Sequence, residues 1–357
     1  MESLPDRPRP AVSRGGAGMR LGWRSYPLRL REPLRISRST MPGRDAVQID
    51  LSHDGVTGHG EVVTSVYYGL DLATIRRLLA GLRHRVCGHD EPEALLAELP
   101  ALAAELPTGV LAALDAAVHD LLGRRAGMPV HTWLGRDFAP VPTAHTIGLV
   151  APEQAATTAR GLARRGFQLI KVKCGDAADL ARIAAVRAAI PHARLVLDPN
   201  GAWTPEQTLR LLDTVRPYRI DAVEQPIAPG TPQSLAWISA RTDVPVIADE
   251  DAATVAHLDA LAGTVAGINI KLAKCGGIHA AQQVAATARA YGMDVMLGCL
   301  VASSLGIAPA VHLTDLARWI DLDGHLLLTD DPWTGIGGHD GVLRLADEPG
   351  LGVRAVR

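Results

Sequence analysis

Leu169-Ile170-Lys171-Val172-Lys173 is a short apolar run that ends in lysine. It is followed by Leu195-Val196-Leu197-Asp198, Ala222-Val223-Glu224, Val246-Ile247-Ala248-Asp249 and Ile268-Asn269-Ile270-Lys271, so the polar run ends fall 22 to 26 residues apart. One strand, one helix and two short loops occupy about that length. Residues 146–149 precede the series, and residues 295–298 and 319–321 extend it to eight runs. Residues 152–165, 177–189, 205–215 and 278–291 between them carry the periodicity of amphipathic helices. Eight strands alternating with helices predict a TIM-type barrel in an α/β protein. A doubly wound open sheet is the rival, but neither GxGxxG opening a helix nor GxxxxGK[ST] occurs.

Outward from the barrel the texture changes. Residues 21–61 read as a strand meander in which Asp54-Gly55 makes a tight hairpin turn. Residues 72–86, 91–106 and 108–125 read as helices, the last with Thr108 as N-cap and Gly127 as its stop. The expected organisation is a disordered tail over residues 1–20, an α+β capping domain over 21–138, the barrel over 139–322 and a C-terminal segment over 323–357. With 36 Lys+Arg against 38 Asp+Glu, the formal charge is −2. A coat for nucleic acid or a polybasic membrane protein needs a large positive excess, so neither partner is expected. No run of about 18 apolar residues suggests a membrane span. The N-terminus lacks a signal-peptide core, and the four cysteines form no CxxC pair, which together suggest the cytoplasm.

Lysine occurs only at Lys171, Lys173, Lys271 and Lys274; every other basic residue is arginine. Guanidinium stays charged at any working pH, whereas a buried lysine can give up a proton, so these four are candidates for acid/base work. Barrel strands carry their functional groups at their C-terminal ends. Read there, Asp198, Glu224 and Asp249 converge from consecutive strands, and three oxygen ligands suit a hard cation, Mg²⁺ first. Lys171, two residues before Lys173, points the same way. Asn200 is a neutral hydrogen-bonding group beside the metal, Glu250 adjoins it, Asn269 is read as a strand stabiliser, and Lys274 as structural.

The ordered set Lys171-Val-Lys173, Asp198-Pro-Asn200, Val223-Glu224-Gln-Pro, Ala248-Asp249-Glu250 and Asn269-Ile-Lys271-Leu-Ala-Lys274-Cys-Gly-Gly resembles the muconate-lactonising subgroup of the enolase superfamily, as does Asp115 to Gly135. The resemblance implies a modified TIM barrel, (β/α)7β, beneath an N-terminal α+β capping domain. It implies Mg²⁺ held by Asp198, Glu224 and Asp249, with Lys173 and Lys271 as acid/base groups on opposite faces of the substrate. Asp321-Leu322-Asp323 after the eighth run resembles the ammonium clamp of dipeptide epimerases. The implied reaction is therefore inversion of the α-carbon of a dipeptide's C-terminal residue. An N-acylamino acid racemase or an o-succinylbenzoate synthase-like lyase is the enzymatic alternative, and a ligand-binding pseudoenzyme the non-enzymatic one. Ala302 stands where many dipeptide epimerases carry Glu. In the cap, Arg35 and Arg38 are candidates to bind an acidic side chain, with Tyr68 opposite them. The implied partner is a small dipeptide; self-association is left open.

Overall fold

The computed structural model describes residues 18–356. Of the expected tail, residues 1–17 lie outside the described residues; Met19 is buried and Arg20 opens the first strand. The cap is a three-stranded antiparallel sheet of Arg20–Ile36, Ser39–His53 and Val56–Val63. Asp54 and Gly55 take positive φ (47° and 80°), the conformation that closes a two-residue hairpin without splaying its strands. Helices Leu72–Cys87, Pro92–Leu102 and Thr108–Ala126 follow. Pro107 is the N-cap of the last helix and Thr108 its first helical residue, a one-residue correction to the sequence reading, while Gly127 ends it in the left-handed conformation. Thr108–Ala126 lies directly on the cap sheet. A Cβ at Gly60 would stand 1.9 Å from the Ala113 carbonyl, so only glycine permits the approach.

The barrel strands are Ala144–Ile147, Leu169–Lys173, Arg194–Asp198, Ala222–Glu224, Val246–Ala248, Gly267–Ile270, Asp294–Gly298 and Trp319–Asp321, all parallel and paired in chain order. The first begins two residues before the expected run. Among the described residues no helix follows the eighth strand, as expected for (β/α)7β; the fifth strand is followed by two short 3₁₀ turns, Val255–His257 and Asp259–Leu261. The seam between the last and first strands is closed with the help of side chains. Leu322 N–H donates to Thr143 Oγ1 at 3.0 Å, and Thr146 N–H to Asp323 Oδ2 at 2.6 Å.

Period-two alternation sorts the barrel interior into layers. Ala144, Leu169, Val196, Ala222, Ile247, Met296 and Trp319 form an apolar floor. Two residues further along each strand come Thr146, Lys171, Asp198, Glu224, Asp249, Asn269, Gly298 and Asp321. The floor forces the charges to one end. Trp319 fills it completely buried, and its Nε1–H donates to Asp221 Oδ2 at 2.7 Å. Trp319→Ala is therefore expected to lower the unfolding free energy by about 3–5 kcal/mol, read as a fall in the urea midpoint without a change of slope.

The cap and barrel are tied by buried carboxylates. Asp115 Oδ2 accepts from Ile278 N–H at 2.6 Å, at the start of barrel helix Ile278–Ala290. Asp120 accepts from His59 N–H at 2.8 Å and from Leu351 N–H at 2.7 Å, joining the cap sheet to the returning C-terminal segment. Glu61 accepts from Ser303 N–H at 2.8 Å and from the hydroxyls of Ser303 and Tyr26.

Candidate active site

All four lysines of the chain lie at the C-terminal end of the barrel, facing carboxylates. Lys171 Nζ stands 2.9 Å from Asp198 Oδ2, 2.7 Å from Glu224 Oε2 and 2.7 Å from Asp321 Oδ2. Lys173 Nζ donates to Asp198 Oδ2 at 2.5 Å and to Asn200 Oδ1 at 3.1 Å. Lys271 Nζ donates to Asp249 Oδ2 at 2.7 Å. Lys274 Nζ donates to Asp249 Oδ1 at 2.7 Å, to Asn269 O at 2.8 Å, and to Asp249 O. Lys173 ends the second of eight strands and Lys271 directly follows the sixth, half the circumference apart. Both open onto one cavity of about 130 Å³ that Asp321 and Asp323 also line.

Burial in a low-dielectric site penalises every one of these charges, and the outcome depends on the neighbours. Burial pulls the Lys171 ammonium down, but Asp198, Asp321 and Glu224 outweigh it and hold it well above the ordinary lysine range. Lys271 is likewise raised: burial opposes its charge, and Asp249 and Glu224 overcome that. Burial pushes the Asp198 carboxyl up, and Lys171 and Lys173 more than reverse it, leaving it lowered. Asp249 is lowered in the same way by Lys271 and Lys274. Glu224 is raised, because burial and the adjacent Asp198 carboxylate exceed the relief from Lys171.

The donor chemistry fits a hard cation. Asp198, Glu224 and Asp249 bring oxygens from three consecutive strands, and Glu224 Oε2, though near Lys171, is buried without a hydrogen bond of proper geometry. As the side chains stand, no three acidic or metal-ligating groups among the described residues converge closely enough to hold an ion. Lys171 and Lys271 lie among these carboxylates and offset part of their negative charge.

The sequence-derived candidates fare differently. Asn200 adopts positive φ (49°), which turns its side chain back to Lys173 while its N–H donates to Asp198 Oδ1 at 2.9 Å. Glu250 Oε1 accepts from Arg38 Nη1 at 2.7 Å, and its other oxygen is buried without a partner. Arg38 also covers the Tyr67 ring at 4.5 Å, so it is already engaged. Arg35 is exposed and lines neither this cavity nor its mouth, because strand alternation turns it away while Leu34 and Ile36 face in. Tyr68 lines the mouth, its hydroxyl pushed up to about 12 by burial. Ala302 lies on an adjoining, largely apolar cavity of about 210 Å³ behind Lys271. Asp323 Oδ2 is held by Thr146 N–H, and Asp321 keeps Oδ1 buried and unpartnered.

Two residues mean more in the structure than in the sequence reading. Asn269 Nδ2–H donates to Glu224 Oε1 at 2.9 Å, so it orients that carboxylate as well as sitting in a strand. A Cβ at Gly298 would fall 2.5 Å from Asn269 Oδ1, so the glycine makes room for it. The rarity of asparagine, found only at 200 and 269, was the available signal. Lys274, read as structural, clamps Asp249 and so acts directly on a site carboxylate. Lys274→Met is expected to destabilise the fold by about 2–3 kcal/mol, since buried acceptors lose a charged donor; Lys274→Arg also costs stability because its planar fork does not fit a three-acceptor pocket. Chemical denaturation of both variants checks this.

Residues 23–135 match the mandelate racemase / muconate lactonizing enzyme N-terminal domain, and residues 154–356 match the enolase C-terminal domain-like family. The chain is 33% identical to a hydrophobic dipeptide epimerase from Roseobacter litoralis, over 94% of this chain and 98% of that one. It is 30% identical to an L-Ala-D/L-Glu epimerase from Bacteroides thetaiotaomicron, over 96% and 89%. Among solved structures, a dipeptide epimerase from Enterococcus faecalis in complex with Mg and L-Leu-L-Tyr superposes with a TM-score of 0.89, at 28% identity, over 95% of this chain and 99% of that one.

Proposed function

The chain belongs to the mandelate racemase / muconate lactonizing enzyme family of the enolase superfamily, and from that membership we propose that it is a Mg²⁺-dependent dipeptide epimerase. The reaction inverts the α-carbon of the dipeptide's C-terminal residue. One observation carries the reading: two largely buried lysines half a barrel apart face a single cavity that also holds Asp321 and Asp323. Sensing a ligand needs no such pair of bases.

In this proposal Asp198, Glu224 and Asp249 would hold the metal, whose positive charge would stabilise the negative charge that builds on the substrate carboxylate when the α-carbon loses its proton. Lys173 or Lys271, whichever faces the α-hydrogen, takes the proton in its neutral form. The electron pair left on the α-carbon delocalises into the carboxylate as an enediolate. The opposite lysine, protonated, delivers a proton to the other face, which leaves the inverted epimer. Asn200 holds Lys173 in position, Asn269 orients Glu224, and Lys171 contributes fixed positive charge among the carboxylates. Asp321, with a free buried oxygen, and Asp323 attract the substrate's N-terminal ammonium.

Incubating a library of free dipeptides in D₂O with Mg²⁺ is expected to add one mass unit at the α-carbon of the C-terminal residue of the accepted members, and exhaustive chelation to stop this until Mg²⁺ is returned. N-acetylated dipeptides should exchange far more slowly. If N-acylamino acids turn over better than free dipeptides, the racemase alternative replaces this reading. Asp321→Asn is expected to raise KM for dipeptides about 10- to 100-fold, the worth of a charge-assisted hydrogen bond, with a smaller effect on kcat.

A further inference from the structure

Among the described residues, the cavity walls carry one cation with no counter-charge. Arg44, on the cap strand Ser39–His53, lines both the cavity between the lysines and its wider mouth. Every other cation on these walls has a carboxylate within 4 Å: Lys171, Lys173 and Lys271 in the barrel, and Arg38 on Glu250. Among the described residues Arg44 makes no ion pair. Its Nη1 donates to the Thr64 carbonyl, and its Nε is buried without a partner. Burial pulls its charge down, and no carboxylate offsets that. A mostly buried guanidinium in this condition costs free energy until an anion arrives.

Resting on the dipeptide reading, the direction in which a substrate side chain must leave the α-carbon leads to Arg44. Once the proton is gone the α-carbon is planar, with one lysine above and one below. Three bonds remain in the plane. One runs to the carboxylate, directed at Asp198, Glu224 and Asp249; one runs to the amide nitrogen, directed at Asp321 and Asp323. The third carries the side chain, and the remaining side of the cavity is the mouth lined by the cap. We propose that Arg44 is the specificity residue of this enzyme, and that it accepts the carboxylate of an acidic C-terminal side chain. Its planar fork suits bidentate pairing with such a group. The cavity then offers an unpaired cation to one end of an acidic dipeptide and the Asp321/Asp323 carboxylates to the other. Arg38 and Arg35 do not serve: the first is committed to Glu250 and the second faces away.

The test compares kcat/KM for L-Ala-L-Glu, L-Ala-L-Leu and L-Ala-L-Lys. The wild type is expected to prefer L-Ala-L-Glu. In Arg44→Gln the Glu-to-Leu ratio should fall about 100-fold, the scale of one charge-assisted pair, and in Arg44→Glu the preference should pass to L-Ala-L-Lys. Arg44→Lys, which keeps the charge and loses the fork, should lower the ratio about tenfold and carries the test if the others fail to fold. A wild type that prefers L-Ala-L-Leu or L-Ala-L-Lys overturns the assignment, as does a variant that lowers all three substrates in parallel. If no dipeptide turns over, the reaction reading fails, and Arg44 is then judged by calorimetry with Mg²⁺ present. Glutarate should bind the wild type at least tenfold more tightly than butyrate, and Arg44→Gln should lose that difference; equal binding to the wild type refutes the claim.

Discussion

Four lysines against four carboxylates in one water-poor pocket is the constraint on which the rest of the structure depends. Lys171, Lys173, Lys271 and Lys274 meet Asp198, Glu224, Asp249 and Asp321 within hydrogen-bond distance. None of these charges is tolerable alone at this depth, since an unpaired buried ion costs several kcal/mol. The cluster persists because its members neutralise one another and because the barrel backbone fixes their spacing. The floor around Trp319 holds them at one end. Asn269 and Asn200, both neutral, supply hydrogen bonds without upsetting the balance.

The cap has two roles that its attachment separates. Its helix Thr108–Ala126 is anchored rigidly, with Asp115 on a barrel helix and Asp120 on the C-terminal segment. Its long hairpin reaches over the barrel mouth instead and carries Arg38 and Arg44 to the rim, where Tyr67 joins them from the loop after the third cap strand. In the proposed reading chemistry belongs to the barrel and side-chain selection to the hairpin, so a change of substrate would require no change in the charge cluster. Proposed roles follow that division: proton transfer at strand ends, recognition of the variable group at the cap.

The barrel was legible because strand ends recur at a regular interval and each ends in a chemically distinctive residue. The use of arginine everywhere else made the four lysines conspicuous. Three features were not legible. Asp323's bond to Thr146 depends on how the eighth strand meets the first, which no local pattern encodes. Lys274 lies beyond its strand, and only the short helical turn Leu272–Cys275 brings it back onto Asp249. Arg44 is one arginine among many in sequence, and what distinguishes it is that it lines the cavity with no carboxylate beside it, a property of three dimensions. Arg35 and Arg38 stood nearer the expected loop, and strand alternation and Glu250 removed them from contention.

The central claim is that two lysines serve opposite faces of one α-carbon. The direct measurement is α-hydrogen exchange in D₂O by Lys173→Ala and Lys271→Ala, each given the two epimers of an accepted dipeptide separately. Neither variant should epimerise, since every turnover needs both groups. Each should still exchange one epimer, and the two variants should exchange opposite ones. If both variants exchange the same epimer, the two lysines do not serve opposite faces, and if one variant exchanges neither epimer, the lysine it lacks is the only base; either result contradicts the two-faced account.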